Sequence, residues 1–313
     1  MVQVAYIGLG KMGYEIANHI ANKLKTNGDP PLLVYNRNFS KAQQFASTYN
    51  QHSQAVSSLK DISNADVIFS CLFNDEAVQD IIGTQLLSSG LVKQGAIIVE
   101  QATISPETAQ DLLTLASSLG VHYLSCPVMG PPARAKAASL IPLLSGDHTA
   151  RPTVLPLIEH VIGDKIIQVG KHNDAGAALR LKLCGNFFVF AMTESIAEGL
   201  TLGEATGVGQ DSVKALIDTL FANTIYVDYS TRMVDETYHD DIRFTLDGGL
   251  KDASHILDLG KSANVDLPIT ATFKERLTTL QQRQANMDVS GIVGVVRESA
   301  GLDFDLKSKE KKT

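Results

Sequence analysis

Residues 7–13 read IGLGKMG. The run that leads into them, VQVAYI at 2–7, is β-branched and aromatic, and the run that follows places Ile16, Ile20 and Leu24 at helical spacing. Gly8, Gly10 and Gly13 therefore punctuate a strand-to-helix turn with the spacing G-x-G-x-x-G. In that setting each glycine has a physical reason. Gly8 allows the tight turn, Gly10 lets the backbone approach a pyrophosphate, and Gly13 lets the new helix pack closely on the strand, with the phosphates at the helix N-terminus. Leu9, Lys11 and Met12 complete the turn, and the stretch predicts a dinucleotide-binding fold.

Outward from this turn, strand-like runs recur at 31–36 (PLLVYN), 65–73 (ADVIFSCLF), 95–101 (GAIIVEQ) and 121–128 (VHYLSCPV), with helical periodicity between them, as at 105–118. Such alternation predicts an α/β architecture with a mainly parallel, doubly wound sheet of Rossmann type. The pattern then changes. Residues 174–205 form one long, mostly apolar run of helix formers, and further helical stretches follow at 210–220, 244–262 and 268–284. An all-helical C-terminal domain joined by a long helix is expected. The implied domains are 1–170 for nucleotide binding, 171–305 for substrate and dimerisation, and 306–313 as a charged tail. Phe187, Phe188 and Phe190 read as helix core.

Across 313 residues the net charge is −7, and Lys and Arg are scattered, so no basic face for nucleic acid is expected. No apolar run approaches the length that spans a bilayer, and the expectation is a cytoplasmic protein that handles a small molecule. Cys71, Cys126 and Cys184 lack metal or disulfide spacing and read as buried, reduced thiols.

After the second strand comes YNRNFS at 35–40. Folds that take NAD usually place an acidic residue here to accept from the ribose 2′-hydroxyl, whereas Arg accommodates a 2′-phosphate. Arg37 offers the phosphate-matching fork, with Asn36, Asn38 and Ser40 as flanking donors. NADP is therefore the expected cofactor. Leu72 and Phe73, which end the ADVIFSCLF run, are further expected cofactor contacts.

Four stretches together resemble the β-hydroxyacid dehydrogenase family: GLGKMGYEIANHI at 8–20, EQATISPETA at 100–109, SCPVMGPPARAKAASL at 125–140 and GAALRLKLCGN at 176–186. The resemblance implies that Thr103 lies beside the nicotinamide ribose, that Val128, Met129 and Gly130 belong to the substrate loop, and that Lys182 and Asn186 are catalytic and touch substrate. Downstream, FTLDGGLKDASHIL at 244–257 resembles the family's Lys-Asp element, which makes Lys251 a cofactor contact and Asp252 a structural residue. The chemistry is consistent. Lys182 and Asn186 stand at i and i+4 on one helix face, and an ammonium there can stabilise negative charge developing on a carbonyl oxygen and deliver a proton. His122, just before the loop, reads as a packed or hydrogen-bonded histidine.

The substrate loop departs from the family pattern. Ser125 stands for Asp, Cys126 for Ala, Met129 for Ser and Pro131 for Gly, which removes two donors for a substrate carboxylate. Ala138 and Ala178 replace glycines more mildly. The implied function is an NADP(H)-dependent oxidoreductase acting on a small 3-hydroxy acid or its semialdehyde or keto counterpart. An imine reductase-like enzyme, or a catalytically silent cofactor-binding scaffold, is the alternative. A homodimer built on the helical domain is expected.

Overall fold

The computed structural model describes residues 1–48 and 52–305. The charged tail expected at 306–313 lies outside them. The first compact unit, Met1–Lys182, is a layered α/β structure. Its strands are β1 (Val4–Ile7), β2 (Leu32–Tyr35), β3 (Ser53–Val56), β4 (Val67–Ser70), β5 (Ile97–Glu100), β6 (His122–Ser125), β7 (Val128–Met129), β8 (Ile141–Gly146) and β9 (Ile167–His172). They run in the order β3-β2-β1-β4-β5-β6-β8-β7, with β9 on β8. Pairing is parallel from β3 through β6, antiparallel where β8 meets β6 and β7, and parallel again between β8 and β9.

Burial on both faces explains why the central strands read as unbroken apolar runs. Val4, Tyr6, Val67 and Phe69 turn to one side, where Ile16, Ile20 and Leu24 of α1 (Lys11–Asn27) and Phe45 of α2 (Phe39–Thr48) meet them. Ala5, Ile7, Ile68 and Ile98 turn to the other. That side is covered by α3 (Asp75–Val78) with its π-helical continuation Gln79–Ser88, and by α4 (Pro106–Ser118). The short α5 (Pro132–Lys136) and α6 (Arg151–Ile158) complete the unit.

The second unit begins at Leu183, inside the 30-residue helix α7 (Gly176–Ala205). It holds the rest of α7 with α8 (Gln210–Leu220), α9 (Ile225–Val234), α10 (Leu246–Ser262), α11 (Pro268–Arg283) and α12 (Ile292–Ser299). Phe190 stacks on Phe273 at 4.3 Å between ring centres. Arg232, 4% exposed, pairs with Asp288 at 3.1 Å, and Asp288 also accepts from the Arg243 and Phe244 N–H groups, so the buried charge is fully partnered.

Several details depart from the sequence pattern. Strands β3, β8 and β9 carry weak signals: β3 (SQAV) holds only two apolar residues, and β9 (IQVGKH) is mostly exposed because it edges the sheet. Helices α9 and α12 were not expected either. Phe188 is 70% exposed, since it lies about 200° around α7 from the buried Phe190. Of the three cysteines only Cys126 is buried, Cys184 being exposed on α7, and no disulfide joins them.

Candidate active site

Tyr35, Ile7, Ser70, Glu100 and Ser125 are successive register partners across β2-β1-β4-β5-β6. They form one row at the carboxyl ends of five parallel strands. The loops that leave this row carry Gly8–Gly13, Asn36–Asn38, Leu72–Phe73, Thr103 and Val128–Gly130. β1 lies between β2 and β4, where the strand order reverses, and ligands of open α/β sheets bind in the crevice outside such a switch point.

Steric facts explain the glycine turn. A Cβ on Gly13 would sit 2.1 Å from the Gly8 carbonyl oxygen, so α1 reaches this close to the strand end only without a side chain there. Gly8 itself takes φ 95, and a Cβ on Gly10 would meet nothing within 4 Å. No side chain caps the start of α1 and no acid occupies its first turn, so the positive end of its dipole suits an anion. The turn thus fits a pyrophosphate. The Leu9 N–H donates to Asn36 Oδ1 at 3.0 Å, and Asn36 Nδ2 donates to the Asn38 carbonyl at 3.0 Å. Asn38 Oδ1 in turn accepts from the Ser40 hydroxyl at 2.7 Å. The two asparagines therefore brace the turn through bonds within the protein. Arg37 beside them is exposed and pairs with no carboxylate among the described residues. A cavity of about 410 Å³ opens at the turn, lined by Leu9, Gly10, Lys11, Tyr14, Glu15, Lys41, Gln44 and Pro132. Lys41 was missed in the sequence, although its spacing four residues after Arg37 was the available signal.

Beneath the loops lies a buried polar layer. Glu100 accepts hydrogen bonds from the Ser70 hydroxyl and, at 2.7 Å, from the Ala102 N–H, which fixes the backbone one residue before Thr103. Tyr6 Oη donates to Gln101 Oε1 at 2.7 Å. Burial pushes the Glu100 carboxyl up to about 7, against the lowering effect of its hydrogen bonds. Burial also pushes the Cys126 thiol up to about 12, which keeps it protonated and unsuited to nucleophilic work. The sequence signal for Glu100 was an acid closing an otherwise apolar strand.

Strand β8 aligns the Val128–Gly130 loop with α7. Pro142 pairs with Val128, and Ser145 Oγ accepts from the Ala178 N–H at 3.0 Å and donates to the Ala175 carbonyl at 2.9 Å. One turn after Ala178, the buried Lys182 ammonium donates to the Val128 carbonyl at 2.8 Å. In the second unit Asn186 Nδ2 donates to Asp252 Oδ2 at 2.7 Å, and Lys251 pairs with Asp252 at 2.9 Å. Asp252 is thus the common partner of Asn186 and Lys251. His122 Nδ1 bonds Asp147 at 2.6 Å at the start of β6, the end of the strand away from the loops. Ala138 holds φ 51, a left-handed conformation that costs a non-glycine residue about 1 kcal/mol. Among the described residues no cluster of acids, histidines and cysteines could hold a metal, and no helix is long and apolar enough to cross a membrane.

A switch-point crevice with an uncapped helix start at a G-x-G-x-x-G turn defines a dinucleotide-binding fold. A family model described as the NAD binding domain of 6-phosphogluconate dehydrogenase matches residues 3–170, and one described as NAD-binding of NADP-dependent 3-hydroxyisobutyrate dehydrogenase matches 176–296. The chain belongs to the β-hydroxyacid dehydrogenase family and is an NAD(P)-dependent oxidoreductase of the hydroxyacid dehydrogenase type. It is 29% identical over 276 residues to the NADH-dependent oxidoreductase ucdB of Aspergillus ustus, covering 88% of this chain and 92% of that one. It is 27% identical over 273 residues to 2-(hydroxymethyl)glutarate dehydrogenase of Eubacterium barkeri, covering 86% of each. The structure of Mycobacterium tuberculosis 3-hydroxyisobutyrate dehydrogenase with L-serine shares the fold, with a TM-score of 0.80 at 22% identity over 95% of this chain and 99% of that one.

The Glu100 carboxyl generates a pH prediction. A carboxyl that titrates higher in the folded state than its ordinary 4.5 adds stability in its protonated form, complete below 4.5 and lost as pH rises to about 7. Glu100→Gln keeps the uncharged hydrogen-bonding shape at every pH. Urea unfolding should therefore show the variant gaining on the parent between pH 4.5 and 7. The gain should approach about 3 kcal/mol, at about 1.4 kcal/mol per pK unit. Parallel stability curves for the two proteins would contradict the buried, neutral Glu100.

Proposed function

We propose that this protein is an NADP(H)-dependent dehydrogenase or reductase of a small 3-hydroxy acid and its semialdehyde or keto counterpart, with Lys182 as general acid and base. The observation that carries this reading is the buried Lys182 ammonium, held by the carbonyl of Val128 in the substrate loop. A buried lysine is costly to maintain, and its bond to Val128, two residues before Gly130 on that loop, gives it a chemical use.

A nicotinamide dinucleotide bound at the glycine turn supplies or accepts the hydride. In this reading Gly8, Leu9, Gly10, Lys11, Met12 and Gly13 hold its pyrophosphate, Thr103 its nicotinamide ribose, and Leu72 and Phe73 its flank. Arg37 and Lys41 take the 2′-phosphate, supported by the exposure of Arg37 and the absence of any acid after β2. Lys182 donates a proton to the substrate oxygen during reduction and withdraws it during oxidation. Asn186, braced by Asp252, orients that oxygen from the next turn of α7, and Lys251 is held by the same carboxylate. Residues 1–170 are the proposed nucleotide domain and 171–305 the proposed substrate and dimerisation domain. The exposed Phe188, Leu202, Leu216 and Leu220 support a homodimer through the helical domain.

Lys182→Ala should lower turnover by ~10²–10⁴-fold while NADPH affinity measured by fluorescence stays at the parental value. Lys182→Arg should not restore turnover, because guanidinium holds its proton too tightly. Near-native turnover in the alanine variant would remove Lys182 from the chemistry. For the cofactor, Arg37→Ala should weaken NADPH by ~1.5–3 kcal/mol and leave NADH nearly unaffected, as titration of both would read. Equal losses, or a parental preference for NADH, would overturn the NADP assignment. Light scattering at micromolar concentration should return the mass of two chains, and a monomer mass would refute the dimer.

A further inference from the structure

The substrate loop presents Met129, which donates no hydrogen bond, and Pro131, which has no N–H. A hydroxy acid binding there needs another group for its carboxylate. The residues that follow provide one. Gly130 takes φ 129, and a Cβ built on it would lie 3.1 Å from Arg134 Cδ and 3.2 Å from Arg134 Cβ, so the stem of Arg134 lies directly against Gly130. The backbone at Gly130 is one that favours glycine, and a Cβ there would also press on Leu140 Cδ2 at 3.0 Å.

Arg134 is also held at its backbone on both sides. Its N–H donates to the Pro131 carbonyl at 2.9 Å, and its own carbonyl accepts from the Ser139 N–H at 2.9 Å. The next residue, Ala135, is buried, and its carbonyl is bonded by His19 Nε2 at 2.9 Å, which ties α5 to α1. The cation therefore projects from a fixed turn, its stem on the loop that Lys182 grips at Val128. Its side chain is exposed, and among the described residues no carboxylate pairs with it.

We infer that Arg134 determines specificity for the acidic end of the substrate, its guanidinium taking the carboxylate in place of the donors lost at Met129 and Pro131. A guanidinium presents two parallel N–H donors that match a carboxylate, and its apolar stem packs on Gly130 without desolvating the charge. The inference rests on the hydroxy acid reading of the site and deepens it. Lys136, two residues further along α5, is an exposed cation on the same short helix and serves as an internal control.

The test is steady-state kinetics with NADPH on the best semialdehyde or keto acid found and on its methyl ester, using the parent, Arg134→Ala, Arg134→Lys and Lys136→Ala. Arg134→Ala should raise KM for the acid about 10- to 100-fold, the loss of a charged hydrogen bond, while kcat and the KM for the ester stay near parental values. Arg134→Lys should recover part of the loss, and Lys136→Ala should match the parent. An unchanged KM for the acid in Arg134→Ala, an equal loss on acid and ester, or an equal effect of Lys136→Ala would overturn the inference alone. Failure of the parent to turn over any such acid would overturn the functional reading, and the inference with it. Arg134 is exposed, so folding of the variant is expected, and an unaltered NADPH affinity verifies it.

Discussion

The close approach of α1 to the end of β1 is the constraint on which the nucleotide-binding unit depends. The Gly8 carbonyl lies where a side chain on Gly13 would begin, and the Gly8 N–H is bonded to the Tyr35 carbonyl at 3.0 Å. Strand β1 is thus locked to β2 at the point where the chain turns into the helix. A larger residue at 13 would push α1 away from the sheet, and Ile16, Ile20 and Leu24 would lose their packing on the strand face. The same contact aims the uncapped amides of α1 at the crevice. Packing and ligand geometry are two consequences of one missing Cβ.

Several of the buried polar groups are held by a named partner. Glu100 is bonded to Ser70 and Ala102, Lys182 to Val128, Asn186 to Asp252, and Arg232 to Asp288. The Arg232 pair serves the helical core. Those of Glu100 and Lys182 adjoin the carboxyl ends of the strands, where each fixes a loop backbone as well as satisfying a charge or a proton. This accounts for their retention, since an apolar residue would fill the same space without orienting Thr103 or the loop at Val128.

The departures at Met129 and Pro131 acquire a meaning from the backbone around them. Met129 and Pro131 offer no hydrogen-bond donor, while Gly130 between them takes a conformation in which the Arg134 stem lies against it. Ala138 shows the opposite economy: it adopts a left-handed conformation with a side chain present and accepts the strain.

Local sequence was sufficient wherever a residue's role follows from its chain neighbours. The glycine turn, the central strands, the long helix and the i, i+4 relation of Lys182 and Asn186 were all legible, because a turn, a period and a helix face are properties of adjacent residues. The edge strands β3 and β9 were not, since an edge strand is specified by the neighbour it pairs with, and neither was the exposure of Phe188 and Cys184. Lys41 joined the cavity only through the packing of α2 beside the turn, and Glu100 gained its partners only when β4 and β5 came into register. Arg134 was an ordinary surface arginine in the sequence; only the tertiary structure laid its stem against Gly130. Tertiary structure decided these matters because burial, strand pairing and cross-loop contact join residues whose separation along the chain carries no periodic signal.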